Sequence, residues 1–591
     1  MKYCENIDSF TNIDFVLPLE FSGIFKGCSR VSIKKTLQAM TREKVVHFAS
    51  LLSRTYCNTP ASNIASFLPS NSPKFGPLKQ KIENYVAKQK LRYPNASYIV
   101  AFAITPLEIL RYAFSYPVEE FNDVKKEEKV EYDFIKMVTQ LNEQLMCFHS
   151  DGNHNDFRKF LVINNAAYND ILSEDQPQYQ YQSILSIRFF KLIESEPKYS
   201  KLLEEFNRKY GIKSWKDYVR TIYALALLSY RDGAGVIPAN LQIDQDHLLS
   251  RDVLDGLSID INCAPLKYAS CNEFDREGNS NYRYFKNRPL FKKTNGDYVI
   301  HCPRLIIDRL YSSLYFDFKE IGESFEKKNL DNLFTSVFVE KTVFVGALSS
   351  CLDANNYEGL NEDSLKAIHK IKRDELGYPD YYIKNKRFES VILWECKDIR
   401  LNGWVKDLRD YKSLEEEIRN KIVEKTYQLD MDNQKRVHLK RAKRTGIGQL
   451  AGHVANIRNK VFPWDKDLSD MVKVYTVLVI GDNRMLFDGF AGLCQEWYNE
   501  RLRNEGIDIT KEMPLIIMSP LTLIKYRPLF YKNGFEKYFD DYFMSITKPV
   551  GNVLDAINRS VSFDVFMQNY PTKMAGFIEE IADTLEIPMH E

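Results

Sequence analysis

Gly377-Tyr-Pro-Asp380-Tyr-Tyr-Ile-Lys-Asn385-Lys-Arg-Phe-Glu-Ser-Val-Ile-Leu-Trp-Glu395-Cys-Lys397 decides how the C-terminal half of this 591-residue chain folds. Apolar and aromatic residues gather at Tyr381 to Ile383 and again at Val391 to Glu395, with polar residues between, so the run reads as two adjoining strands joined by a turn. Side chains alternate along a strand. Glu395 and Lys397 therefore share one face, and Ile392, Trp394 and Cys396 share the other. With Asp380 at the start of the neighbouring strand, its carboxylate comes beside that of Glu395. Two such charges repel unless a cation stands between them, and hard oxygen ligands suit Mg2+ or Mn2+.

Outward from this pair, the sequence predicts one or two helices over Leu305 to Val339, a charged helix from Leu414 to Gln428, a helix from Gln449 to Ile457 and a strand from Val474 to Ile480. Strands alternating with helices indicate an α/β domain with a mixed sheet, placed at 291–591. Asn295-Gly296 is a hairpin signal near its start. Residues 1–240 read as a mainly α-helical region, with apolar residues recurring at three and four in Lys81 to Gln89, Tyr132 to Met146, Ile184 to Ile193 and Trp215 to Tyr230. Residues 241–290 are irregular and polar, as in a linker or small subdomain.

Composition narrows the class. A content of 44% hydrophobic and 27% charged residues is that of a soluble globular protein, and the length asks for more than one core. A net charge of +1 excludes steering of the whole molecule to polyanions, so any basic surface is local. The ten cysteines are dispersed with no C-x-x-C pair, which fits reduced thiols. No signal peptide and no membrane-length apolar run is expected, so a cytoplasmic protein is. Without a Walker A sequence, neither ATPase activity nor a nucleotide cofactor is expected in cis.

Pro379-Asp380 and Glu395-Cys396-Lys397 resemble the PD-(D/E)-x-K nuclease superfamily, the restriction-endonuclease-like fold, over roughly residues 291–560. The apolar strand running into Glu395 and the Pro-Asp 15 residues upstream carry the resemblance together with flanking segments in matching order. Gly322-Glu-Ser-Phe325-Glu326 resembles the Gly-x-x-Phe-Glu pattern of a first core helix whose Glu faces the metal, with Glu323 as the fallback. Gly446-Ile-Gly-Gln449-Leu resembles the helix after the acidic-x-Lys strand in RecB-like and Holliday-junction-resolvase-like branches. Many RecB-like members have Tyr four residues after that Gln, whereas this chain has His453.

The resemblance implies a divalent-metal-dependent endonuclease. Asp380, Glu395, Glu326 and the backbone carbonyl of Cys396 would hold Mg2+ or Mn2+; Lys397 would activate water or steady the phosphate, and Gln449 would assist. Leu450, Val454, Ile457 and Val461 form the expected buried stripe of that helix, leaving Gln449, His453 and Asn456 on a polar face near the phosphate. From Asn433 to Trp464 there are eight Lys or Arg residues and no acidic residue. Lys435, Arg436, Lys440, Arg441, Lys443 and Arg444, with His453, are thus expected to meet nucleic-acid phosphates. By analogy the N-terminal region is a recognition or sensing module of a bacterial anti-phage defence or restriction effector, acting on DNA, with a homodimer or a defence-system partner and no membrane. The alternatives are a non-catalytic nucleic-acid-binding or scaffold protein with a disused nuclease fold, and an enzyme active only inside a complex.

Overall fold

The computed structural model describes residues 15–56, 75–92, 96–123, 127–145, 166, 178–231, 235–239, 249–266, 282–321, 327–371, 376–387, 389–408, 410–427, 441–487, 489–547, 561–572 and 575–587. Two compact units emerge. The first comprises Met1–His149, Glu174–Ser324 and Gly576–Glu591, and the second Ser150–Ser173 and Phe325–Ala575. The division thus falls near residue 324 rather than 290, and the C-terminal segment belongs to the first unit. Residues 291–324, expected in the C-terminal domain, pair and pack with the N-terminal elements.

The first unit is mainly helical, as its periodicity predicts: Phe75–Arg92, Glu127–Leu145, Gln178–Ser195 and Trp215–Arg231 are all helices. It also holds strands, of which the sequence pointed only to the hairpin at Asn295-Gly296. β1 (Phe15–Pro18) pairs in parallel with β2 (Ala96–Ile99), and Asn142 stitches the end of this pair by donating to the carbonyls of Leu19 and Val100. β3 (Val236–Ile237), β4 (Ser258–Asp260), β5 (Leu290–Lys292) and β6 (Tyr298–Ile300) form a four-stranded sheet in the order β3-β6-β5-β4. The Asn295-Gly296 hairpin joins β5 to β6, with Gly296 at φ +88°, a conformation that a side chain would strain. The described parts of 241–290 contribute a strand to this sheet, so that stretch is not simply a linker. Aromatic rings fill the core, Phe190 stacking on Trp215 at 5.2 Å and Phe206 on Phe318 at 5.0 Å.

The second unit is built on a five-stranded mixed sheet. β7 (Tyr357–Asn361), β8 (Tyr381–Asn385) and β9 (Ser390–Lys397) form an antiparallel meander; β12 (Lys473–Ile480) lies parallel to β9 and β13 (Leu515–Met518) parallel to β12. β9 and β12 are buried over nearly their whole length, which their unbroken apolar runs require. Across one face runs a continuous helical stretch, Lys327–Asn332, Leu333–Val345 and Gly346–Ser350, whose middle part is wound as a π-helix. Its segment Asn329–Ser350 is long and apolar enough to cross a membrane by length and composition, a property that the sequence analysis overlooked. Packing accounts for that apolarity: Leu333, Phe334, Phe338, Val339, Val343 and Phe344 are buried, with the Phe344 ring 6.1 Å from Trp394 of β9.

The helix Ile447–Arg458 makes the crossover from the meander to β12. Before it, the predicted charged helix stops at Ile422, and a small antiparallel ribbon follows, β10 (Glu424–Tyr427) with β11 (Arg441–Arg444). Gly446 turns the chain from the ribbon into the helix at φ +45°. A Cβ there would lie 2.7 Å from the Ile422 carbonyl oxygen, so both the turn and the close approach require glycine.

Candidate active site

Residues Tyr381 and Trp394 face each other across β8 and β9, so Asp380 stands opposite Glu395 by continuation of the same register. The Asp380 amide donates to the Trp394 carbonyl at 3.1 Å, and its carboxylate Oδ2 accepts from the Cys396 amide at 2.6 Å. These bonds fix Asp380 beside the strand end. Lys397, two residues beyond Glu395 on the same face, places its Nζ 2.9 Å from Glu395 Oε2, 3.6 Å from Asp380 Oδ2 and 3.0 Å from the Cys396 carbonyl. The three groups that the spacing brought together on paper are together in space.

A third carboxylate joins them from the π-helical stretch. Glu340 is half-buried, and its pKa is raised first by burial and then by Asp380, with Lys397 opposing. Glu395 is wholly buried, and burial followed by Asp380 pushes its pKa well above the carboxylate range despite Lys397. Burial alone would discharge Lys397, but Asp380, Glu395 and Glu340 together hold it firmly as an ammonium. Among the described residues, three carboxylates thus act on one cationic side chain. Glu395 Oε1 is buried with no hydrogen-bond partner, an unmet demand for positive charge or a donor.

Glu340 was not expected. It is the one acidic residue in the apolar run Leu333–Val345, and a carboxylate set alone among Phe and Val is the signal that could have found it. Its helix approaches closely at Gly481, just past the end of β12, where a Cβ would come within 2.6 Å of the Val339 Cγ1. Glu326 and Glu323, the expected helical acids, lie outside the described residues.

Gln449 is half-buried in the first turn of Ile447–Arg458, and its Nε2 lies 3.1 Å from where a Cβ of Gly377 would be, three residues before Asp380. It thus lies beside the segment that leads into Asp380. His453 does not face outward. Its ring is wholly buried against Phe462 and Trp464, and burial drives its pKa down to about 3, so it is a neutral core residue rather than a phosphate contact. Of the expected polar face, Gln449 and Asn456 stay half-buried, but His453 is covered, Gly448, Ala451, Gly452 and Ala455 being buried along with the apolar stripe. Val461, expected inside, is instead 58% exposed.

The basic run divides. Lys435, Arg436 and Lys440 lie outside the described residues, and of Arg441 only the backbone, in β11, is described. Lys443 is exposed on the ribbon. Arg444 pairs with Glu505 at 2.7 Å, Arg458 grips Glu512 through two bonds of 2.7 and 2.8 Å, and Lys460 meets Asp470 at 2.7 Å. The apparent surplus of charge in the sequence is therefore partly cancelled by acids from other segments.

Among the described residues, no group of three or more His, Cys, Asp or Glu side chains is placed to hold a metal ion. The Lys397 ammonium stands among the carboxylates. In comparisons with known proteins, no protein-family model, curated protein or solved structure matches the chain.

Proposed function

We propose that the second unit is a divalent-metal-dependent nuclease that hydrolyses phosphodiester bonds, most readily pictured on DNA. The observation that carries this reading is the convergence of Glu340, Asp380 and Glu395, from a helix and two strands, around Lys397 with a buried carboxylate oxygen left without a partner. The order of segments also supports it: an acid-bearing helix, the Pro-Asp strand, the acidic-x-Lys strand, then a Gln-bearing helix. That is the order which the resemblance to the PD-(D/E)-x-K nucleases implies.

The donor set fits a hard cation. Asp380, Glu395 and the carbonyl of Cys396 would hold Mg2+ or Mn2+, with Glu340 as a further acidic partner. Such an ion, when bound, lowers the pKa of water and neutralises charge on a phosphate. Lys397, kept protonated by its neighbours, adds positive charge where the phosphate's charge grows. Gln449, beside the segment leading into Asp380, would orient the phosphate or the water by hydrogen bonding. The first unit would then position substrate or sense a trigger, in keeping with a defence or restriction effector.

Purified protein incubated with plasmid, linear duplex, single-stranded DNA and RNA in Mg2+, Mn2+ or EDTA tests the reading directly. Lys397→Ala and Asp380→Ala are expected to lower cleavage by about a thousandfold while the proteins stay folded. Wild-type cutting by Lys397→Ala would end the assignment. Calorimetric binding of Mn2+ that disappears in Asp380→Asn separates an active site from a disused scaffold.

A further inference from the structure

In the helical stretch that crosses the sheet, buried residues come in adjacent pairs: Leu333 with Phe334, Phe338 with Val339, Val343 with Phe344, then Ala347 with Leu348. Through the π-wound part the pairs step by five residues, and on entering the α-helix Gly346–Ser350 they step by four. A π-helix bonds residues five apart and so stacks them, whereas an α-helix, at 3.6 residues per turn, would rotate each pair about 140° from the last. The winding therefore follows from the spacing of the apolar pairs. It also decides where Glu340 points, because Glu340 follows directly on Phe338 and Val339 and goes wherever that pair is seated.

Val339 is seated at Gly481, the first residue past β12. A Cβ on Gly481 would lie 2.6 Å from Val339 Cγ1 and 3.4 Å from the Asp398 Cα. Gly481 has no positive φ, so its missing side chain serves space rather than backbone shape. Its amide donates to the Lys397 carbonyl at 2.9 Å, continuing the parallel register in which Ile480 stands beside Lys397. One residue thus touches both the strand that carries Glu395 and Lys397 and the helix that carries Glu340. Asp380 and Lys397 are the charges that act most on Glu340.

We infer that Gly481 is a positioning residue of the candidate active site: by leaving room for Val339 it lets the π-wound helix close on the ends of β9 and β12 and sets Glu340 beside Asp380 and Lys397. The inference rests on the nuclease reading for what Glu340 then does, but not for the seating itself. A methyl group on residue 481 would have to push Val339 back by about 1 Å to reach ordinary contact. Val339 is buried, and its β-branched side chain is stiff about χ1, so it cannot swing aside and the helix must move. Misplacing a catalytic group by about 1 Å costs about a hundredfold in rate.

Gly481→Ala, Val339→Ala and the double variant are compared with the wild-type full chain by Mn2+ calorimetry, plasmid cleavage and melting in EDTA. Gly481→Ala is expected to weaken Mn2+ binding about tenfold and cleavage about a hundredfold. Adding Val339→Ala removes the atom in the way and is expected to restore most of both, although Val339→Ala by itself lowers the melting temperature; a fold that was merely destabilised would be made worse. Gly346→Ala, in the same helical stretch where a Cβ meets nothing within 4 Å, is the control and leaves both unchanged. Should Gly481→Ala not fold, Val339→Ile crowds the same seat from the helix side and is expected to give the same losses. In EDTA, Glu340→Gln is expected to raise the melting temperature of wild type by relieving the crowding of acids, and to raise it less in the Gly481→Ala background. Wild-type Mn2+ affinity and cleavage in folded Gly481→Ala overturn the inference, as does a loss that Val339→Ala leaves in place. So does a Glu340→Gln effect that is absent from wild type or equal in the two backgrounds. If wild type neither binds Mn2+ nor cuts, the nuclease reading fails, and the comparison in EDTA still decides whether Gly481 places Glu340.

Discussion

Both units bury charged side chains, but they balance them differently. In the first, Arg309 is wholly buried and paired with Asp317, whose other oxygen accepts from Tyr210 at 3.0 Å and Lys209 at 2.9 Å; Lys209 also meets Glu320 at 3.0 Å. Arg309 and Lys209 answer Asp317 and Glu320, and Arg283 also acts on both acids. In the second unit, Glu340, Asp380 and Glu395 face Lys397 alone among the described residues, and burial together with mutual repulsion pushes Glu340 and Glu395 upward in pKa. A buried network of matched charges holds a scaffold together, whereas a buried surplus of one sign is stable only with help from outside the chain. The contrast favours the second unit as the place of the proposed chemistry without any appeal to kinship.

The largest effect expected on stability belongs to the balanced network. Asp317→Ala leaves the Arg309 guanidinium buried without its counter-charge, and such an uncompensated ion costs about 3–5 kcal/mol. Urea unfolding of the full chain is the measurement, read as a lower midpoint. Cleavage assayed where the variant is still folded should stay near wild type. A variant that kept its midpoint but lost cleavage would break the contrast, since the matched pair would then be serving function rather than structure.

The same contrast explains what was legible in the sequence. Asp380, Glu395 and Lys397 were readable because strand alternation and antiparallel register are local rules, and both hold here without a bulge. Glu340 was not, because an i, i+4 reading started at Gly322 carries no information about a stretch wound as a π-helix eleven residues later. His453 was misjudged for a different reason: four small buried residues, Gly448, Ala451, Gly452 and Ala455, let neighbours close over faces that an amphipathic pattern leaves to solvent. The basic run was over-read because Glu505 and Glu512, which answer Arg444 and Arg458, lie more than fifty residues away in the chain. The edge strands were missed too. β7 is Tyr-Glu-Gly-Leu-Asn, too polar to register as a strand, and β13 is only four residues long.

Among the described residues, each unit also contains one wholly buried histidine, which allows a sharper comparison at intermediate size. Burial lowers His301 of the first unit to about 4 and His453 of the second to about 3, both below the ordinary value of 6.5. The unfolded chain therefore takes up a proton before the folded one as pH falls. Stability from each is complete above about pH 6.5 and is lost progressively toward pH 4 for His301 and pH 3 for His453. Between pH 7 and pH 5 the loss is about 2 kcal/mol per histidine. Comparing urea midpoints at the two pH values, wild type should lose more than His301→Leu or His453→Leu, and by a similar margin for each. A margin confined to one variant would mean that the other imidazole is charged in the fold.

The smallest effect is the most telling, because it runs against the usual direction of mutation. The folded pKa of Glu395 is raised above its unfolded value, so its ionised form is the less stable in the fold, and the stability that this group contributes at low pH is lost as pH rises. In EDTA, Glu395→Gln replaces this crowded, buried carboxyl by a neutral group of the same shape, and Lys397 retains Asp380 at 3.6 Å. The melting temperature is expected to rise by about 2–4 °C, the shift that about 1 kcal/mol makes in a domain of this size, while Mn2+ binding and cleavage both disappear. Adding Mn2+ should stabilise wild type and leave the variant where it was. If Glu395→Gln instead lowered the melting temperature in EDTA, Glu395 and Lys397 would form a matched structural pair like Arg309 and Asp317, and the surplus that sets the second unit apart would vanish.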